Sequence, residues 1–173
     1  MEKKKEIIEE KIKQALTSTY KVISNQSRED SKNKNFNFKS LEFSGIKDLK
    51  NKDDYIKLRA DTDSKALKLR FSDNKIFNKN HPRNPGLKKI YELSETVRCE
   101  ILGSKMLNGI KKNLEDNYYQ KINNIKKGDI NNNKETNVTE AFELYILEKF
   151  FKLNLNKLSL QILSQWRKDF DKN

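Results

Sequence analysis

His81 is the sole histidine and Cys99 the sole cysteine of this 173-residue chain, so chemistry that needs an imidazole or a thiolate has one of each to draw on. A catalytic zinc site takes about three protein ligands, often at helical spacing. Here carboxylates would have to complete the set. His81 falls in the turn His81-Pro82-Arg83-Asn84-Pro85-Gly86, which favours a solvated imidazole over a ligand. Cys99 lies one residue off an apolar stripe and reads as a small buried hydrophobe. As a nucleophile it would need a base, which His81 alone supplies in the usual way. Asp61 and Asp63 suggest half a cation site, but on a helix they point about 200° apart and cannot chelate one ion. Neither phosphate-cradling glycine pattern, Gly-x-x-x-x-Gly-Lys-Ser/Thr or Gly-x-Gly-x-x-Gly, occurs. Ser18-Thr19-Tyr20-Lys21 and Ser44-Gly45-Ile46-Lys47 match Ser-x-x-Lys, as chance allows where lysine is frequent. No catalytic, metal-binding or cofactor-binding residue is assigned. What remains are charge pairs on helix surfaces: Arg59 with Asp63 at i,i+4 and Glu95 with Arg98 at i,i+3.

The elements that carry these pairs are helical. Ile8, Ile12, Leu16, Tyr20 and Ile23 recur at spacings of three and four, which predicts an amphipathic helix from Glu2 to Ile23. Asp53-Asp54 suits a helix start, with Tyr55, Leu58, Ala66, Leu67 and Leu69 facing inward as far as about Ser72. Pro85 opens the next helix, whose stripe is Leu87, Ile90, Tyr91, Ser94, Val97 and Ile101. Another stripe runs through Leu107, Ile110, Leu114, Tyr118, Ile122 and Ile125. Asn137 with Glu140 resembles a capping box before Val138, Phe142, Tyr145, Ile146, Leu147 and Phe150. Asn154 breaks that helix, and Leu155, Leu158, Ile162, Trp166 and Phe170 form the last one. Alternation around Phe36, Phe38, Leu41 and Phe43 predicts a small β-hairpin or bulged strand near residues 35–44. The expected architecture is mainly α: five to six helices in one irregular bundle, a single domain over 1–173 with flexible loops about 24–35 and 123–137. Nothing alternates strand with helix as a parallel sheet requires.

Composition narrows the class further. No window approaches 18 apolar residues, Met1-Glu2-Lys3-Lys4-Lys5 lacks the apolar stretch of a secretory signal, and one cysteine makes no internal disulfide. A cytoplasmic protein that does not span a membrane is expected. The net charge of +12 invites a nucleic-acid reading. Yet only six of the 37 cations are arginine, at 28, 59, 70, 83, 98 and 167, and bidentate phosphate and base contacts favour arginine. Lysine solvating the surface of an Asn- and Ile-rich chain is the favoured account. A small basic nucleic-acid-binding protein is the alternative.

One set of residues carries a family resemblance. Arg59, Asp63-Ser64, Ala66-Leu67 and Asp73, then Arg98-x-Glu100-x-x-Gly103-Ser104-Lys105, then Gly109, Asn113 and Leu114, resemble the N-terminal region of the T subunit of aerobic cobaltochelatase, the CobT family. Glu115-Asp116-Asn117-Tyr118, Thr139-Glu140-Ala141 through Glu148-Lys149, and Trp166-Arg167 with Phe170 extend the likeness to the C-terminus. The resemblance implies a non-ATPase adaptor working with an AAA+ ATPase S subunit and a large corrin-binding N subunit. That assembly inserts cobalt into hydrogenobyrinic acid a,c-diamide in cobalamin biosynthesis and uses ATP and magnesium. This chain itself is expected to bind no cofactor, and a homo-oligomer within a ring assembly is an option. A chelatase relative serving another AAA+ partner is a further alternative.

The family's later von Willebrand A-type domain is expected to be absent, since no Asp-x-Ser-x-Ser occurs. Ser72-Asp73 stands where the family tends to have His-Asp, and Phe77 where it has another His. The matched structural or partner residues are Arg59, Asp63, Ser64, Asp73, Arg98, Glu100, Gly103, Gly109, Asn113 and Trp166. Arg98 to Asn113 is expected to form a helix–turn–helix. Gly103 would allow its break and Gly109 the close approach of a neighbouring helix. Arg59, Asp63, Asp73, Arg98 and Glu100 would form the polar cluster that fixes it.

Overall fold

The computed structural model describes residues 2–25, 46, 49–125 and 138–172. Among them are eight α-helices, one π-helical turn and no strand. The β element expected near residues 35–44 lies outside the described residues. So do nearly all of the loop about 24–35, most of the connection 123–137 and the capping position Asn137. The chain clusters into two compact units, Met1–Ser72 and Asp73–Asn173.

The first unit contains α1 (Glu2–Ser24) and α2 (Lys52–Phe71), which pack on each other. Leu16, Tyr20 and Ile23 of the predicted stripe are buried, while Ile8 is exposed. The α2 start is set by Asn51 rather than by Asp53-Asp54. The Asp54 amide donates to Asn51 Oδ1 at 2.9 Å and the Asn51 amide to Asp54 Oδ2 at 3.2 Å, a reciprocal capping box. Ala60, Ala66 and Leu67 face the core. Tyr55 and Leu69, expected inside, are exposed. Arg70 Nη1 donates to the Ile23 carbonyl at 3.1 Å, satisfying one of the open acceptors in the last turn of α1.

The second unit runs α3 (Asn74–Lys79), α4 (Pro85–Met106), α5 (Asn108–Asn123), α6 (Val138–Ile146), the π turn Leu147–Phe151, α7 (Lys157–Ser164) and α8 (Arg167–Phe170). The count exceeds the predicted five or six for two reasons. Asp73 nucleates the short α3 by accepting from the Lys75 and Ile76 amides at 2.8 and 3.1 Å. The predicted last helix breaks at Gln165–Trp166 into α7 and α8. Pro85 opens α4 as expected, with Asn84 as its cap. The α4–α5 junction is a single residue, Leu107. Ile110, Leu114, Tyr118 and Ile122 of α5 are all buried, as their spacing predicts, but Leu107 and Leu87, from the same two stripes, are exposed.

The strongly apolar α6 does not run on to Asn154. It widens into the π turn, whose closing residue Lys152 has left-handed φ 57° and donates its amide to the Leu147 carbonyl. The wider turn carries Phe150 to the surface and buries Phe151, whose ring centroid lies 5.4 Å from that of Tyr118. The prediction had Phe150 inside. A 3.6-residue period fails where one extra residue enters a turn.

Asn156 ties the second unit together. Its Oδ1 accepts from the Ser159 amide at 2.8 Å and caps α7, while its Nδ2 donates to the Ile122 carbonyl of α5 at 2.7 Å. Ser159 is itself fully buried, with a hydroxyl that has no partner among the described residues. Opposite effects follow at neighbouring positions. Asn156→Ala is expected to cost about 1–2 kcal/mol in a denaturation experiment, since it removes a cap and an acceptor's donor. Ser159→Ala is expected to raise stability by about 1 kcal/mol, because an unmet hydroxyl is replaced by a better helix former.

Candidate functional site

In the first unit, Arg59 and Asp63 meet one helical turn apart. Arg59 Nε donates to Asp63 Oδ2 at 3.2 Å, and Nη1 reaches Thr19 Oγ1 on α1 at 3.2 Å. The Asp63 side chain is 0% exposed and the Arg59 side chain 23%. The pair anticipated from sequence is therefore a buried carboxylate bridged by arginine to the facing helix. Thr19 gave no signal of this, because its partner is 40 residues away. Ser64 is half-buried beside it.

In the second unit, Asp73, Arg98 and Glu100 take different partners rather than forming one cluster. Asp73 caps α3. Arg98 lies on the exposed side of α4 and grips Glu95 with two bonds, Nε to Oε2 at 2.7 Å and Nη2 to Oε1 at 2.8 Å. The Glu95 hydrogen bond pushes the guanidinium's pKa further above its ordinary value. Glu100 is 3% exposed and accepts from the Tyr118 hydroxyl at 2.5 Å. The two residues lie on either side of the Leu107 junction, 18 positions apart, and no local rule pairs them.

Two glycine expectations need correction. Gly103 does not break the helix. It is buried inside α4, three residues before the end, and its carbonyl accepts from the Leu107 amide at 3.1 Å. Gly109 is not crowded by a neighbouring helix, since a Cβ there would meet no atom within 4 Å. Asn113 is half-buried on α5.

Trp166 sits at the α7–α8 break, its ring stacked near Phe170 with centroids 6.5 Å apart. Its Nε1 is buried with no partner among the described residues. The next residue, Arg167, reaches both oxygens of Glu148 in the π turn, at 2.9 and 2.8 Å. That hydrogen bond raises the Arg167 pKa. Asp171 accepts from the Tyr145 hydroxyl at 3.0 Å and pairs with Lys149 at 3.3 Å. The Tyr145 hydroxyl first, and Lys149 with it, hold the Asp171 carboxyl below its ordinary range. Phe170 packs on Phe142 and Tyr145 at 5.5 and 5.3 Å. These contacts clasp α8 onto α6 and the π turn.

His81 is half-buried instead of solvated. It makes edge contacts with Phe77 and Tyr91 at 5.5 and 5.8 Å, and its Nε2 lies 3.3 Å from Glu92 Oε1. Phe77 stacks on Tyr91 at 5.0 Å, so this position is used for aromatic packing. Among the described residues no three His, Cys, Asp or Glu side chains gather where they could hold a metal ion. A cavity of about 30 Å³ between α5 and α6 is lined by Lys121, Ile122, Ile125, Glu140, Glu143, Leu144 and Leu147. It has room for about one water.

A family model described as cobalamin biosynthesis protein CobT matches residues 6–173. The chain belongs to the CobT family. No curated protein and no solved structure matches it. CobT membership ties the chain to cobalamin biosynthesis. Among the described residues no helix of this CobT chain is long and apolar enough to cross a membrane.

The buried and more exposed polar pairs of this chain should separate in denaturation midpoints. Arg59→Ala strips a guanidinium from a buried carboxylate and is expected to cost about 3 kcal/mol. Tyr118→Phe removes the hydroxyl from Glu100 and is expected to cost about 1.5–3 kcal/mol. Arg98→Ala, at a pair whose arginine is exposed and whose glutamate is 15% exposed, is expected to cost less, about 1 kcal/mol.

The clasp should also respond to acid. Because the folded-state pKa of Asp171 is depressed, its contribution is present above the unfolded carboxylate pKa and is lost as pH falls through the folded one. Fluorescence of Trp166, the sole tryptophan, is expected to change as pH falls below the ordinary carboxylate range. Asp171→Asn is expected to remove that phase.

Proposed function

We propose that this chain is the non-ATPase adaptor of an ATP-dependent cobaltochelatase in the cytoplasm. The observation that carries the reading is the CobT match over residues 6–173. In this role the chain docks on an AAA+ ATPase subunit and on a large corrin-binding subunit, as one chain or as copies within a ring. Nucleotide-driven motion passes through its helices and opens the site in which cobalt enters the corrin ring. Cobalt is then substrate, ATP and magnesium belong to the ATPase, and this chain contributes rigid packing. The two buried carboxylates, Asp63 and Glu100, support that reading. Glu100 accepts from Tyr118 on the facing helix, and Asp63 accepts from Arg59 of its own helix, which also donates to Thr19 on α1, so a pull on one helix is felt by the other. Arg59, Asp63, Ser64, Asp73, Arg98, Glu100, Gly103, Gly109, Asn113 and Trp166 act here as structural and docking residues.

Co-elution is the direct test. The purified chain, mixed with the ATPase subunit, is expected to co-elute with it in size-exclusion chromatography, more strongly with ATP present. Association with neither the ATPase nor the corrin-binding subunit would refute the adaptor role. The net charge of +12 favours one other reading, a polyanion-binding protein. That reading requires DNA or RNA affinity that falls log-linearly with salt.

A further inference from the structure

The corner between α4 and α5 is built from residues that the chain's own stability does not call for. Gly109 stands in the first turn of α5. No described glycine has positive φ, and the space around the missing Cβ of Gly109 is open. The two ordinary reasons for a glycine, left-handed backbone and crowding, are both absent. Alanine would be the better helix former. Leu107 is a second such choice. It occupies the position before α5 where Asn, Asp, Ser or Thr would accept from the open amides of the first turn. Leucine makes no side-chain cap bond there, and it is 48% exposed. Met106 beside it is 46% exposed.

Lysine dominates the charge of this corner. From Lys105 through Lys112 the sequence holds three lysines and no carboxylate. Lys111 pairs with Glu115 at 3.7 Å, while Lys105 and Lys112 make no ion pair among the described residues. No arginine lies between Arg98 and Arg167, so the fork that best grips a phosphate is lacking.

The geometry points to the corner Lys105–Lys112 as the docking surface for an acidic segment of a partner protein. An apolar side chain of the partner covers Met106 and Leu107. Its backbone passes over Gly109, where no side chain stands in the way. Its carboxylates meet Lys105 and Lys112. This rests on the adaptor reading, which supplies the ATPase and corrin-binding subunits as the partners to try.

The test separates folding from binding. The full chain and its variants Leu107→Asn, Gly109→Leu and Lys112→Glu are titrated against each of those two subunits, with thermal unfolding measured alongside. Leu107→Asn gains a cap and Gly109→Leu a better helix former, so both are expected to unfold at or above the wild-type midpoint. All three are nevertheless expected to bind one of the subunits about tenfold more weakly or worse. If the wild-type chain binds and the folded variants bind equally well, the corner is not the surface and the adaptor reading stands. If the wild-type chain binds neither subunit, the adaptor reading falls and takes this surface with it. If Lys112→Glu alone weakens binding, and does so equally for duplex DNA, a non-specific polyanion site replaces the proposal.

Discussion

A carboxylate removed from water has to be met by donors, and each of the two units holds one that has been. Desolvating such a charge costs several kcal/mol even after relaxation. In the first unit the charge is Asp63, answered by Arg59 from the same helix and anchored through Thr19 on α1. In the second it is Glu100, answered by Tyr118 from the facing helix. An apolar interface tolerates sliding, because any leucine is a fair neighbour for another. A single hydrogen bond from one helix to a buried carboxylate on the next does not. Moving α5 by one turn, about 5.4 Å, would leave Glu100 without its hydroxyl. Glu100 therefore fixes the register of α4 and α5 directly, while in the first unit Asp63 holds the arginine that reaches Thr19 on α1.

The second unit extends this constraint outward. Tyr118 is wedged by Phe151 from the π turn, so the donor to Glu100 is itself held by an aromatic neighbour. Four residues further along α5, the Ile122 carbonyl is closed by Asn156, which also starts α7. The far end of the chain then returns through Arg167 and Asp171 to Glu148, Tyr145 and Lys149. Sequence-distant segments are thus joined by polar bonds laid over a core of Leu114, Leu144, Leu147, Ile162 and Leu163. A chain whose apolar fraction is 34% overall can use such bonds to specify what its core alone would leave loose.

Period and capping chemistry made the helices legible. The stripe from Ile110 to Ile122, the Pro85 start and the Arg59–Asp63 and Glu95–Arg98 pairs all follow from rules spanning a few residues. What those rules missed has a common cause. Tyr118 with Glu100, Asn156 with the Ile122 carbonyl and Arg167 with Glu148 each span 18 or more residues, and a helical period says nothing about which stripes will face. Cys99 is buried, as a small hydrophobe should be, but so is the charged Glu100, beside a stripe whose first member, Leu87, is in solvent. The residues that carried the family resemblance in the sequence do separate local jobs in the structure: a cap, a bridge, a surface pair, a buried acid.

The π turn sets the phase of everything after it. Its extra residue decides that Phe151, and not Phe150, turns toward Tyr118. Wound as a plain α-helix at its present length, the segment would turn Phe150 toward the core and rotate the following side chains by about 100°. The wide turn instead takes up one residue more than an α turn, so what lies beyond keeps the phase that a chain one residue shorter would reach by ordinary turns. An added residue is thereby stored in one place, and Glu148, Lys149 and Phe151 keep their partners.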